Sequence, residues 1–159
     1  MATAKLFHSW LALFPATYLL HILEEYFAGE GFYRWISRIT DVSLTGGQFL
    51  SMNAVLWVIM ICAIFAVHSY STGGWIVIGL AALVCVNGLG HALATLRAGS
   101  YSPGMVTGLI VWVPLGIYAL IRTAPLLPAW QLWIGVAAGL LTQAAVSLLA
   151  LAVGRSNRT

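Results

Sequence analysis

The sequence predicts an all-α integral membrane protein: a single domain over residues 1–159, built as a bundle of five transmembrane helices. Of the 159 residues, 61% are hydrophobic and only 7% are charged, whereas a soluble domain carries roughly a quarter charged residues. So few charges cannot cover a surface exposed to water, and lipid must therefore be the solvent for most of the chain. The second observation is that the apolar residues fall into stretches long enough to cross a bilayer.

A transmembrane helix needs about 20 mainly apolar residues, and five stretches meet this requirement. They run at about 7–27, 48–67, 73–96, 103–121 and 128–153. Lys5 and the apolar run after it resemble a signal peptide, but the run ends in HILEE rather than in small residues, so we interpret it as the first span, kinked at Pro15. Glycine and alanine are frequent in the last three spans, which indicates close helix packing in lipid.

The link between the first two spans contains an amphipathic segment, FYRWISRI. On a helix its apolar side chains share one face: Phe32, Trp35, Ile36 and Ile39. Arg34 and Arg38 lie on the opposite face. This pattern is typical of a short interfacial helix. An anchor for the ends of the spans and a lid over a site are alternatives that the sequence leaves open.

The distribution of Lys and Arg predicts the orientation. Five of the seven lie on the side of the first link, the third link and the C-terminus: Arg34, Arg38, Arg97, Arg155 and Arg158. An excess of basic residues marks the cytoplasmic side, so the N-terminus is expected outside and the C-terminus inside. In this topology nearly all unusual polar side chains of the spans, Ser102 and Thr107 among them, fall in the cytoplasmic half.

The first span carries His21, Glu24 and Glu25, which include half of the chain's four acidic residues. Their i, i+3 and i+4 spacing places them within an arc of about 100° on a helix. Ionisable groups at membrane depth are costly and usually face the bundle interior or a wet cavity, so they indicate a functional site. The third span adds Asn87 and His91, which share a helix face at i, i+4. The expectation is that the two spans are neighbours with one shared pocket.

Two histidines with one or two carboxylates form a donor set suited to zinc or iron, with a position left open for water. We therefore predict that His21, Glu24 and His91 bind a divalent metal, zinc or iron. Glu25 is the predicted general base, and Asn87 the residue that orients the substrate or the developing oxyanion. The predicted function is that of a membrane-embedded, metal-dependent hydrolase acting on a lipophilic substrate.

The expected partners are the lipid bilayer and this lipophilic small molecule, with Arg97 and Tyr101 as candidates for contacting a polar head group. The net charge of +3 is small and scattered, so no nucleic-acid partner is expected. Cys62 and Cys85 lie inside apolar spans, and we interpret them as packing residues rather than as a disulfide or a metal motif.

Other functions stay open at this point. A metal-free isomerase or cyclase of an isoprenoid-like substrate would use Glu24 or Glu25 as a protonated acid and tryptophans to stabilise a carbocation. A proton-coupled carrier would use the same residues as a relay, although their clustering in one half of the membrane argues against a path across it. A lone histidine in an apolar span is more often a packing residue than a ligand, so His91 alone is weak evidence.

The two motifs together resemble a known family. The sequence HILEE at residues 21–25 and NGLGH at residues 87–91 are similar to the HxxEE and NxxxH motifs of the HXXEE family of small prokaryotic membrane proteins. The segment RAGSYSPGMVT at residues 97–107 also resembles that family's link into the following helix. The resemblance spans most of the chain. It implies a protein of the prokaryotic inner membrane with a functional site at the two motifs, and it implies no particular substrate.

Overall fold

The structure, a computed structural model, describes residues 10–70 and 73–157, and within these ranges all regular elements are helical. The helices are α1 (Leu13–Phe27), α2 (Phe32–Thr40), α3 (Gly46–Ser69), α4 (Gly74–Ala98), α5 (Met105–Thr107), α6 (Val113–Thr123) and α7 (Ala129–Ser156). A π-helical segment, Gly108–Trp112, joins α5 to α6, and a 3-10 turn, Ala124–Leu126, follows α6.

Among the described residues, four helices are long and apolar enough to cross a membrane: α3, α4, α7 and the helical stretch Met105–Leu126. They coincide with the last four of the five predicted spans. The count of five is not confirmed, because α1 has 15 residues in the described part of the chain, fewer than the about 20 that a span needs. Residues 7–9 of the predicted first span lie outside the described residues.

Pro15 lies in the first turn of α1, which begins at Leu13, so the described part of the helix continues from it without a break. The first backbone N–H groups of a helix have no acceptor within the helix, so a proline there removes no hydrogen bond. The Pro15 carbonyl accepts a hydrogen bond from Trp57 Nε1 at 3.0 Å. This bond ties the start of α1 to α3.

Helix α4 lies at the centre of the bundle and packs most extensively against α7 and α6. Glycines make this close approach possible. A Cβ atom on Gly139 of α7 would lie 2.4 Å from the carbonyl oxygen of Gly79, and one on Gly88 would lie 2.5 Å from the carbonyl oxygen of Gly108. The predicted packing through small residues is confirmed at these two contacts.

The amphipathic segment between the first two predicted spans forms α2. Trp35 is buried, whereas Arg34 and Arg38 are exposed, as the sequence pattern predicts. Arg38 pairs with Glu30 at 2.6 Å. Trp35 Nε1 donates to Ser100 Oγ at 3.0 Å, which connects α2 to the link that follows α4. Helix α2 therefore covers the end of the bundle where the two motifs lie.

Candidate metal site

His21 and Glu25 on α1 meet His91 on α4 inside the protein. Glu25 Oε1 lies 3.2 Å from His91 Nε2 and 3.7 Å from His21 Nε2. All three residues are buried, with exposed fractions of 1% for His21 and 6% for each of the other two. One ligand atom from each residue lies within 4.8 Å of the others. This cluster has the composition and the spacing to hold a metal ion.

Hydroxyl groups orient both imidazoles. His21 Nδ1 lies 2.7 Å from Thr107 Oγ1, and His91 Nδ1 lies 2.9 Å from Ser102 Oγ. In the tautomer that carries the proton on Nδ1, each ring donates to its hydroxyl oxygen and keeps the Nε2 lone pair directed toward Glu25. Metal-binding histidines are commonly held by such a second hydrogen bond. The Nε2 atom of His21 has no hydrogen-bond partner among the described residues.

Aromatic rings fix the imidazoles from the sides. The Trp112 ring stacks on His21 with centroids 3.8 Å apart, and the Phe32 ring contacts His91 at 5.0 Å. Trp112 ends the π-helical segment, a type of helical irregularity that is frequent at functional sites. Phe32 comes from α2, so the helix that covers this end of the bundle also contacts the site.

The adjacent carboxylate, Glu24, does not join the cluster. It accepts hydrogen bonds from the backbone N–H groups of Gly104 (3.1 Å), Val106 (2.9 Å) and Thr107 (2.6 Å) and from the Tyr101 hydroxyl. The carboxylate thus occupies the start of α5, where free N–H groups favour a negative charge. The groups that donate to Glu24 lie between Tyr101 and Thr107. This stretch also carries Ser102 and Thr107, so Glu24 holds in place the two hydroxyls that orient the imidazoles.

The sequence hypothesis gave the ligand position to Glu24 and the role of base to Glu25, but the structure places Glu25 beside both imidazoles. On an α-helix, residues i+3 and i+4 lie about 60° to one side of residue i and about 40° to the other. Both glutamates are therefore near His21 in direction. The rotation of α1 about its axis decides which of them meets His91.

Gly104 forms a wall of the site with its backbone. Its φ angle of +101° is one that L side chains rarely adopt, and a Cβ atom there would lie 2.8 Å from His91 Cε1 and 3.0 Å from His21 Cε1 and Glu25 Cγ. The sequence analysis did not single out this residue. The available signal was the Ser-Pro-Gly run at residues 102–104, which is typical of a turn that needs glycine.

The other predicted site residues, Asn87, Arg97 and Tyr101, lie outside the cluster of His21, Glu25 and His91. Asn87 lines the same cavity as the cluster, where its side chain lies next to the His21 imidazole, and its Nδ2 donates to Gln143 Oε1 at 3.3 Å. Arg97 is exposed at the end of α4. The Tyr101 hydroxyl donates to Glu24. Burial and the Glu24 carboxylate raise the pKa of the Tyr101 phenol, so it stays protonated as a donor.

The cluster lies at the border of a cavity of about 590 Å³. Helices α1, α2, α3, α4 and α7 all contribute to its walls, and most of the side chains that line it are apolar. The volume is within the range of about 300–1,000 Å³ that is usual for small-molecule sites.

A family model described as a protein of unknown function with an HXXEE motif matches residues 12–119. The matched range includes HILEE, NGLGH and the link that carries Ser102 and Gly104. No curated protein and no solved structure matches the chain.

Proposed function

The chain belongs to the HXXEE family, and we propose that it is a membrane-embedded, metal-dependent hydrolase that acts on a lipophilic substrate. The observation that carries the proposal is the buried cluster of His21, Glu25 and His91 beside a largely apolar cavity. Two imidazoles and one carboxylate form the protein ligand set of catalytic zinc sites, in which the fourth position stays open for water or substrate.

The donor atoms suit a divalent ion, zinc or iron. Both Nε2 atoms face Glu25, and that of His21 is buried without a hydrogen-bond partner among the described residues. A bound ion of this kind supplies Lewis acidity and lowers the pKa of a bound water to about 7.

The protein's own groups then have distinct roles. His21 and His91 would hold the ion through Nε2, with their rings fixed by hydroxyls and by Trp112. Glu25 faces the imidazoles with Oε1 and would complete the ligand set through that oxygen. Its second oxygen would accept the proton of the attacking water. Asn87, which lies one helical turn before His91, orients the substrate carbonyl and the oxyanion that develops from it.

The proposed location is the inner membrane of a prokaryote. The four apolar helices support a membrane protein. Five spans, with the N-terminus outside and the C-terminus in the cytoplasm, remain the proposed topology. A substrate dissolved in the bilayer would then reach the cluster without crossing water.

Elemental analysis of the purified protein, loaded with zinc and dialysed, tests the metal site. We expect one zinc ion per chain, lost in His21→Ala and in His91→Ala. His68→Ala is the matched control, because His68 is an exposed histidine at the end of α3 and does not belong to the cluster. Circular dichroism verifies that each variant is folded. A wild-type protein with intact helices that takes up no zinc or iron would contradict the proposal.

A metal-free acid–base isomerase or cyclase is a second candidate, favoured by one specific contact. Glu25 Oε1 and His91 Nε2 lie 3.2 Å apart, which is hydrogen-bonding distance, and the Trp112 ring beside His21 could stabilise a cation by cation–π contact. The same elemental analysis separates the two functions, since a folded protein that takes up no metal favours the acid–base mechanism.

A further inference from the structure

We infer, on the basis of the proposed function, that the Asn87 amide oxygen is a fourth protein ligand of the ion, in addition to the His21–Glu25–His91 cluster. The ion would then be held by two imidazole nitrogens and two oxygens. Asn87 would reach the substrate through Nδ2 alone, so its role in the proposed reaction stays with that atom.

The hydrogen bonds of Glu24 determine which nitrogen of His21 carries the proton. Glu24 accepts from three backbone N–H groups, as an ionised carboxylate does, and an ionised carboxylate can only accept. Its hydrogen bond with the Thr107 hydroxyl therefore uses the proton of that hydroxyl. The Thr107 oxygen is left as the acceptor for His21 Nδ1, 2.7 Å away. His21 consequently carries its proton on Nδ1, and its Nε2 presents a lone pair.

Two residues of α7 determine which end of the Asn87 amide faces the cluster. Asn87 Nδ2 donates to Gln143 Oε1 at 3.3 Å, and Gln143 Nε2 donates to Ser147 Oγ at 3.3 Å. The Asn87 side chain also lies next to the His21 imidazole. Because the amide nitrogen is directed to α7, the oxygen is the end directed to His21.

Three acceptor atoms therefore face one another without a proton between them. They are His21 Nε2, the Asn87 oxygen and Glu25 Oε1, which lies 3.7 Å from His21 Nε2. His21 Nε2 and the Asn87 oxygen are both buried, and buried acceptors need a partner. A cation among the three atoms satisfies all of them at once. His91 Nε2, 3.2 Å from Glu25 Oε1, is then the fourth coordinating atom.

A fourth protein ligand also changes the expected coordination number of the ion. A zinc ion with four protein ligands is commonly a closed tetrahedron. An ion with five or six ligands keeps a position for water beside four protein atoms, as iron keeps open positions beside two histidines and one carboxylate. We therefore expect a coordination number of five or six when a water is bound.

Asn87→Leu tests the ligand, because it removes the amide oxygen at similar side-chain volume. In isothermal titration the zinc affinity should fall by more than about a hundredfold, beyond the 10–100-fold loss expected for an outer hydrogen bond. Asn87→Asp keeps an oxygen at this position and should restore most of the affinity. Asn53→Leu is the matched control. Asn53 lines the same cavity, but its oxygen accepts from the Tyr18 hydroxyl and its Nδ2 donates to the Phe49 carbonyl, so the affinity should not change.

Cobalt(II) reports the coordination number, because its visible absorption weakens as that number rises from four to five or six. Cobalt-loaded wild-type protein should absorb weakly, and cobalt-loaded Asn87→Leu should absorb more strongly because one ligand is lost. Asn87→Asp should give the spectrum of the wild-type protein. A residue that only positions the imidazole would change the affinity and leave the spectrum as it is.

Infrared difference spectra test the same ligand in the wild-type protein, without any substitution. Protein whose asparagine side-chain carbonyls carry 13C is measured with and without zinc. The chain has three asparagines, Asn53, Asn87 and Asn157, and coordination through oxygen should lower the carbonyl stretching frequency of one of them. This measurement tests the ligand even if Asn87→Leu does not fold.

Two results would overturn the inference, and they differ in what they mean for the metal site. If Asn87→Leu binds zinc as tightly as the wild-type protein, or gives the same cobalt spectrum, Asn87 is not a ligand and the site of His21, Glu25 and His91 stands. If the wild-type protein binds no metal, the proposed function and the inference both fail, and a proton on His21 Nε2 then separates the acceptors.

Discussion

Helix α4 has two sides that differ in how they are packed. On the side of α5, the π-helical segment and α6, backbones touch through Gly88 and Gly108, and Ser102 and Thr107 are hydrogen-bonded to the imidazoles. On the side of α3, the helices enclose a largely apolar cavity. The packed side fixes the imidazoles within the site, and the open side leaves room for a ligand, so different faces of α4 position the site and give access to it.

Gly104→Ala should disrupt the packed side most. The added Cβ atom meets His91, His21 and Glu25 at 2.8–3.0 Å, so we expect zinc affinity to fall by about a hundredfold or more, beyond the effect of losing one outer hydrogen bond. Gly99→Ala is the matched control. Gly99 also has a positive φ, +61°, but no atom lies within 4 Å of its would-be Cβ. Both variants carry backbone strain of about 1–2 kcal/mol. Equal zinc affinities in isothermal titration would show that Gly104 does not shape the site.

Glu24→Gln should weaken zinc binding although Glu24 is not a member of the His21–Glu25–His91 cluster. The carboxylate accepts hydrogen bonds from three backbone N–H groups and the Tyr101 hydroxyl, and removing its charge should lower the free energy of unfolding by about 1–3 kcal/mol. Because the segment that orients both imidazoles is then loosened, zinc affinity should fall about 10–100-fold.

Glu30→Gln serves as the comparison for Glu24→Gln, since it also removes one carboxylate charge. Glu30 pairs with Arg38 on the exposed face of α2, where an ion pair contributes little. If the two variants bind zinc with the same affinity, Glu24 has no positioning role.

Thr107→Val and Ser102→Ala each remove one hydroxyl partner of an imidazole. We expect about a tenfold loss of zinc affinity for either variant, with the larger change in stability for Ser102→Ala because Ser102 is fully buried. Thr95→Val is a useful control for the link, as the Thr95 hydroxyl accepts from the Ser102 N–H, while the hydroxyls hydrogen-bonded to the two imidazoles among the described residues are those of Thr107 and Ser102. An unchanged affinity in both hydroxyl variants would contradict the orienting role.

Thr142→Val tests the open side and should have the smallest effect. Thr142 lines the cavity from α7, and its hydroxyl donates to the Ala138 carbonyl of its own helix at 2.8 Å. We expect the free energy of unfolding to change by no more than about 0.5 kcal/mol and zinc affinity to stay the same. A thermal unfolding curve as strongly shifted as that of Glu24→Gln would show that the two sides of α4 are not different.

The class of protein and the residues of interest follow from the amino-acid sequence alone. Too few charges for a water-exposed surface, apolar stretches of span length and ionisable groups within them are properties of the chain that need no coordinates. Four of the predicted spans coincide with helices, the amphipathic link forms α2, and the histidines of HxxEE and NxxxH come together. The count of five spans goes beyond what the described helices support.

Which glutamate joins the histidines depends on how the helices pack and cannot be read from the sequence. Helical periodicity leaves Glu24 and Glu25 on nearly the same face, and the rotation of α1 against α4 turns Glu25 to His91 and Glu24 to the start of α5. The role of Gly104 was equally unpredictable from the sequence, because its backbone packs against two helices that are far from it in the chain, and such a contact leaves no periodic pattern. Sequence spacing fixes directions along one helix, whereas a site between helices depends on how they are rotated and packed.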